Sequence, residues 1–118
     1  MTSKQTTGNF GEEIAAAHLE RHGFTCLDFN FRTRFGEIDI IAQDERYLLF
    51  VEVKTRSVNA RVGGLEAVGY RKQQRLRAAA EEYLMTHGTQ LQARFDVISI
   101  ETAQDGRVAA IQWVENAF

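Results

Sequence analysis

The chain has 118 residues, of which 44% are apolar, and a formal net charge of −2 at pH 7. This length suits a single domain with its own core, and the mild acidity argues against a general nucleic-acid coat protein. It contains no apolar run of 18 residues, no signal-like apolar stretch after Met1, and only one cysteine, Cys26, so the sequence predicts no spanning helix, no internal disulfide and a reducing, cytoplasmic setting.

Residues 1–7 read as a flexible tail. A first helix is expected from Asn9 to His22, stopped by Gly23. Asn9 is the expected N-cap, with Glu12 three positions on in a capping-box-like arrangement. Phe10, Ile14, Ala15 and Leu19 are expected to face the core. Three strands follow, Phe24 to Phe31, Glu37 to Ala42, and Tyr47 to Lys54 or Thr55, with Gln43–Arg46 as the turn between the second and third. Arg56 to Gly69 is polar and glycine-bearing and reads as a mobile loop. A second helix is expected from Tyr70 to Thr86, ended by His87-Gly88, with Leu76, Ala79, Ala80, Tyr83 and Leu84 as its apolar stripe. Two more strands, Ala93 to Glu101 and Val108 to Val114, are joined by an Asp105-Gly106 turn. There is no proline, repeat or linker. The expected order is α-β-β-β-α-β-β in one α/β domain.

The chemistry concentrates in Gly36-Glu37-Ile38-Asp39-Ile40-Ile41 and Leu48-Leu49-Phe50-Val51-Glu52-Val53-Lys54. Both segments are apolar strands carrying acids, and burying a carboxylate costs several kcal/mol unless a cation or hydrogen bonds compensate it. Strand side chains alternate faces. Glu52 and Lys54 therefore share a face with Phe50, and Leu49, Val51 and Val53 share the other. On the preceding strand Ile38, Ile40 and Ala42 take one face and Glu37, Asp39 and Ile41 the other. With Glu45-Arg46 at the hairpin turn, Asp39 faces Glu52 at roughly 5–7 Å and Glu37 faces Lys54. A one-residue slip would set Asp39 against Val51 on the wrong face.

Two carboxylates that close repel each other unless a cation intervenes. Mg²⁺ or Mn²⁺ suits such a pair, because Mg²⁺ is commonly held by one or two carboxylates with water and phosphate. Such an ion polarises a phosphate and acidifies water. Lys54, one strand step from Glu52, is placed to orient that water or to stabilise charge on the phosphate. The competing account is a charged cluster on a wet sheet face.

Charge is unevenly spread. Lys54, Arg56, Arg61, Arg71, Lys72, Arg75 and Arg77 face only one acid, Glu66, within 24 residues, and they are half of the chain's 14 basic residues. A local positive field of this kind holds phosphates, although a solvated helix face has the same composition. The three histidines lack zinc spacing. No glycine-rich loop stands between a strand and a helix as nucleotide binding requires, and neither Ser99 nor Cys26 lies in a nucleophile motif. Trp113, Phe95 and Tyr83 read as core. Asp96, in an apolar strand, is expected to satisfy a buried arginine or a backbone amide.

On these residues the chain resembles the PD-(D/E)xK, or restriction-endonuclease-like, nuclease superfamily. Within it, the chain is similar to the YraN family of predicted bacterial endonucleases, itself similar to archaeal Holliday-junction resolvases. The resemblance spans nearly the whole chain. It rests on Gly11-Glu12, Asn30-Phe31-Arg32, Phe35 to Ala42, Phe50 to Arg56, Glu66-Ala67-Val68 with Lys72 and Arg75, and Arg94-Phe95-Asp96-Val97. One departure is Gly63-Gly64-Leu65-Glu66, where that family often carries a proline.

The resemblance implies a restriction-endonuclease-like core with a mixed five-stranded sheet flanked by helices. It also implies a Mg²⁺- or Mn²⁺-dependent DNA endonuclease acting on branched or structured DNA. Asp39 and Glu52 would be metal ligands with the Val53 carbonyl as a third, and Lys54 the catalytic lysine. Glu12 would be an added acid from the first helix, and Glu37 would support the ligands. Arg32, Arg56, Arg71, Lys72 and Arg75 would meet the nucleic acid, Lys72 approaching the site from the second helix. For Glu12 a capping or helix-dipole role, and for Lys72 a surface phosphate contact, fit the sequence equally well. Symmetric cutting of a junction would need a homodimer, but nothing in the sequence marks an interface. The alternative function is a nucleic-acid-binding module of the same fold without useful catalysis.

Overall fold

The computed structural model describes residues 9–58 and 68–118. The expected tail and all of the expected loop between 59 and 67 lie outside the described residues. The elements are α1 (Phe10–Arg21), β1 (Thr25–Arg32), β2 (Glu37–Gln43), β3 (Tyr47–Ser57), α2 (Tyr70–His87), β4 (Gln92–Thr102) and β5 (Val108–Val114). The order is the one read from the sequence. Asn9 caps α1 as expected, its side chain accepting the Glu12 N–H at 3.0 Å. Gly23 follows the helix at φ +93°, a conformation other residues rarely adopt.

The five strands form one sheet in chain order, β1-β2-β3-β4-β5. Neighbours run antiparallel except β3 and β4, which are parallel and joined by the α2 crossover. The sheet is therefore mixed. The β2–β3 ladder pairs Ile40 with Val51 and Gln43 with Leu48, which leaves Glu45-Arg46 at the turn. Asp44 fixes this turn by accepting the N–H groups of Arg46 and Tyr47 at 2.8 and 2.7 Å.

Both sheet faces are covered. On one face, Leu49 and Val51 pack with Ile98, Ile100 and the α1 residues Ala15 and Leu19. On the other, Leu48 and Phe50 pack with Leu76, Ala79, Ala80 and Tyr83 of α2. Gly11 lets α1 approach β3 closely, since a Cβ there would lie 2.3 Å from the Thr55 hydroxyl oxygen. No described helix is long and apolar enough to cross a membrane.

Three local expectations change. Arg56 and Ser57 belong to β3, not to a loop, because β3 pairs residue by residue with β4 as far as Ser57–Thr102. Phe10 opens α1 with 48% of its surface exposed and does not join the core. Ile38 packs in the α2-side cluster while Ile40 packs on the α1 side, so strict alternation breaks at Asp39. Asp96 is fully buried and does what was expected of it. It accepts from Arg94 Nε and Nη2, from Trp113 Nε1 and from the Asn116 N–H, all within 3.0 Å.

Candidate functional site

The break at Asp39 is where the site begins. One step beyond the last paired residues, Ile40 and Val51, the register sets Asp39 opposite Glu52. At that step the Asp39 carboxylate accepts the Val53 N–H at 2.8 Å. A side chain thus takes up a strand amide at the end of the ladder. The N–H and C=O of one strand residue leave on the same side, so the Val53 carbonyl is directed toward β2 as well.

Asp39, Glu52, Glu37 and the Val53 backbone line a cleft of about 420 Å³ between β2, β3 and the first turns of α2. Lys72, Arg75 and Leu76 close it from the helix, and Gly36 from the start of β2. Gly36 and Arg75 come close here, since a Cβ on Gly36 would meet the Arg75 Cβ at 3.4 Å, an ordinary contact. While Glu37, Asp39 and Lys54 are partly buried, Glu52 is buried, with 7% of its surface exposed. Its partner is Lys72, whose Nζ lies 2.6 Å from Glu52 Oε2. The second helix therefore delivers a cation to the more buried carboxylate.

Among the described residues Asp39 has no ion-pair partner within 4.0 Å. Burial pushes its carboxyl from the usual 3.8 up to about 7, with the fields of Glu52, Glu12 and Glu37 adding to the rise and the Val53 N–H opposing it. A cation beside Asp39 would oppose this rise. The donor set is all oxygen, which suits a hard divalent ion. Among the described residues no group of three or more His, Cys, Asp or Glu side chains converges tightly enough to hold an ion alone. Two carboxylates would need the Val53 carbonyl, water or a phosphate oxygen beside them, as is usual for Mg²⁺.

The remaining sequence candidates fall around this centre. Glu12 is buried on α1 and its carboxylate accepts from Asn30 Nδ2 at 3.0 Å. Asn30 itself stands at φ +52°, the left-handed region that asparagine tolerates better than most residues. Lys54 follows Val53 on β3, partly buried and level with Ser99 of β4, and lies outside the residues that line the cleft. Glu37 pairs with Arg32 at 3.5 Å. Arg71 is exposed on the first turn of α2, and Arg56 is partly buried near the end of β3.

Sequence reasoning missed two features. Asn30 was part of a motif with no role attached, although an asparagine inside a strand is itself a hint of left-handed backbone. Arg77 was counted with the phosphate-binding charge, but its guanidinium lies over the rings of Phe95 and Phe118 at 5.2 and 5.4 Å. Cys26 has its thiol pushed up to about 12 by burial and is chemically quiet. His18 and His22 both meet the Trp113 ring edge-on, a packing role.

A family model described as Uncharacterised protein family UPF0102 matches residues 11–100. A UPF0102 protein of Desulforapulum autotrophicum is 40% identical over 116 residues, covering 98% of this chain and 94% of its own. One from a Shewanella species is 41% identical over 113 residues, covering 96% and 99%. One from Legionella pneumophila is 39% identical over 116 residues, covering 97% and 95%.

Proposed function

The chain belongs to the uncharacterised protein family UPF0102, and from the site it carries we propose that it is a Mg²⁺- or Mn²⁺-dependent DNA endonuclease. It would hydrolyse phosphodiester bonds in branched or structured DNA, as a cytoplasmic member of the PD-(D/E)xK superfamily akin to archaeal Holliday-junction resolvases. The observation that carries this reading is the meeting of Asp39 and Glu52, from neighbouring strands, in one cleft closed by Lys72 and Arg75.

Asp39 and Glu52 would hold the ion, with the Val53 carbonyl beside them. The ion would supply Lewis-acid polarisation of the scissile phosphate. Lys54, one step along β3 from this pair, would orient the attacking water and balance charge building on the phosphate. Glu12 and Glu37 hold the negative potential that favours a divalent over a monovalent cation. Arg75 and Lys72 would grip the phosphate in the cleft, while Arg71, Arg32 and Arg56 would position flanking phosphates without reading bases. A symmetric junction would be cut by two copies of the chain.

The test is incubation of purified protein with labelled four-way junctions, flaps and linear duplex in Mg²⁺ or Mn²⁺. Cleavage that disappears in Asp39→Asn and Glu52→Gln is expected. No cleavage of any substrate, or undiminished cleavage by Asp39→Asn, would remove the reading.

One observation favours a second reading, a nucleic-acid-binding module without catalysis. Lys72 pairs with Glu52 and so neutralises one of the two carboxylates. Calorimetric titration separates the two: junction binding with no Mn²⁺ uptake supports the binding module.

A further inference from the structure

The turn between β1 and β2 carries a part-exposed aromatic ring on the residue that precedes the cleft wall. Phe35 is 42% exposed and directly precedes Gly36, which forms part of the cleft wall. This exposure does not come from a slack turn. The Thr33 hydroxyl accepts the N–H groups of Phe35 and Gly36 at 2.9 and 3.2 Å, and the Thr33 N–H donates to the Gly36 carbonyl at 2.9 Å. The turn is pinned from three directions, and the ring forgoes the burial that Phe24 and Phe50 enjoy.

One cation lies over the ring, and further arginines stand at the adjoining strand end and in the cleft wall. The Arg34 guanidinium lies 5.2 Å from its centroid. Arg32, with 78% of its side chain exposed, stands at the end of β1. Arg75, whose backbone and Cβ lie against Gly36, lines the cleft. A half-exposed ring with a guanidinium over one face offers its other face to a base, the chemistry that binds a nucleotide lacking a pairing partner. The ring stacks the base and the cations take the phosphates on either side. Within a continuous duplex the base faces are already stacked and out of reach.

We infer that Phe35 is a stacking platform for an unpaired base beside the cleft, which makes nucleic acid with a single-stranded or splayed nucleotide the preferred substrate class. This rests on the nucleic-acid part of the proposed function and is independent of the metal.

The experiment measures binding in EDTA, by anisotropy, of a dye-labelled thymidine oligomer and of a blunt duplex. Phe35→Ala is expected to weaken single-strand binding about tenfold while duplex binding changes by less than about twofold. Phe35→Trp is expected to keep single-strand affinity and to show fluorescence quenching on binding that the wild type, with only Trp113, does not show. Equal loss on both ligands, no loss on either, or an unquenched Trp variant would overturn the platform while leaving nucleic-acid binding in place. Wild-type protein that binds neither of these ligands nor a labelled four-way junction would overturn both readings together.

Discussion

Lys72 reaches down from α2 to place its ammonium 2.6 Å from a Glu52 carboxylate oxygen, joining a half-exposed helix residue to a buried strand residue. An ion pair with one end in solvent is worth on the order of 1 kcal/mol. That is enough for the lysine to hold Glu52 when no other cation is present, and too little to keep out a divalent ion.

Lys72→Met should therefore tighten Mn²⁺ binding, because the ion no longer has to displace an ammonium. The expected gain is about fivefold, the equivalent of that ion pair, read by calorimetry. An unchanged or weaker affinity would show that Lys72 and the ion do not share Glu52.

Asp39 sets a pH dependence of stability. Its carboxyl is raised from 3.8 to about 7, by burial first and by Glu52, Glu12 and Glu37 after it. The folded chain thus holds this proton more tightly than the unfolded chain does. The contribution is complete below about pH 4 and is lost as pH rises through 7. Asp39→Asn, whose carboxamide oxygen can still accept the Val53 N–H, should melt about 5 °C above wild type at pH 8 in EDTA and level with it near pH 4. A melting difference that ignores pH would contradict this.

The field at Asp39 can be dissected from α1. Glu12→Gln keeps an acceptor for Asn30 but removes one of the charges that raise Asp39. Carboxyl-carbon NMR titration should then place the Asp39 midpoint below its wild-type value. An unmoved midpoint would mean that Glu12 is electrically remote.

Asp96 carries the opposite face. Four donors converge on its two oxygens, so Asp96→Ala strands a mostly buried Arg94 guanidinium and should cost about 3–5 kcal/mol. Urea unfolding followed by Trp113 emission should show the midpoint falling by about 1–2 M, with the native emission shifted to the red. A shift of a few tenths of a molar would show that Arg94 finds water or another partner.

The order of elements was legible because each helix and strand carries its own period. The β2–β3 register was legible too, since only one alignment of Ile40 and Ile41 against Val51 and Phe50 keeps both apolar rows inside. What parity could not show is the break at Asp39, where a side chain takes the place of a strand partner. Nor could composition show the full reach of β3, whose polar end is held by pairing with β4 rather than by apolar burial. Counting charge grouped Arg77 with Arg75, yet one stacks on phenylalanine rings and the other lines the cleft. The two equal readings of Lys72 could be separated only by seeing which way the first turn of α2 faces.

The hairpin turn at Glu45-Arg46 divides the site along the chain. Everything before it supplies Glu12, Glu37 and Asp39, and everything after it supplies Glu52, Val53, Lys72 and Arg75. A chain severed at that point would yield two fragments, each holding half a cleft. Recovery of ion binding on mixing them would then report, on its own, that the fragments had reassociated in native register.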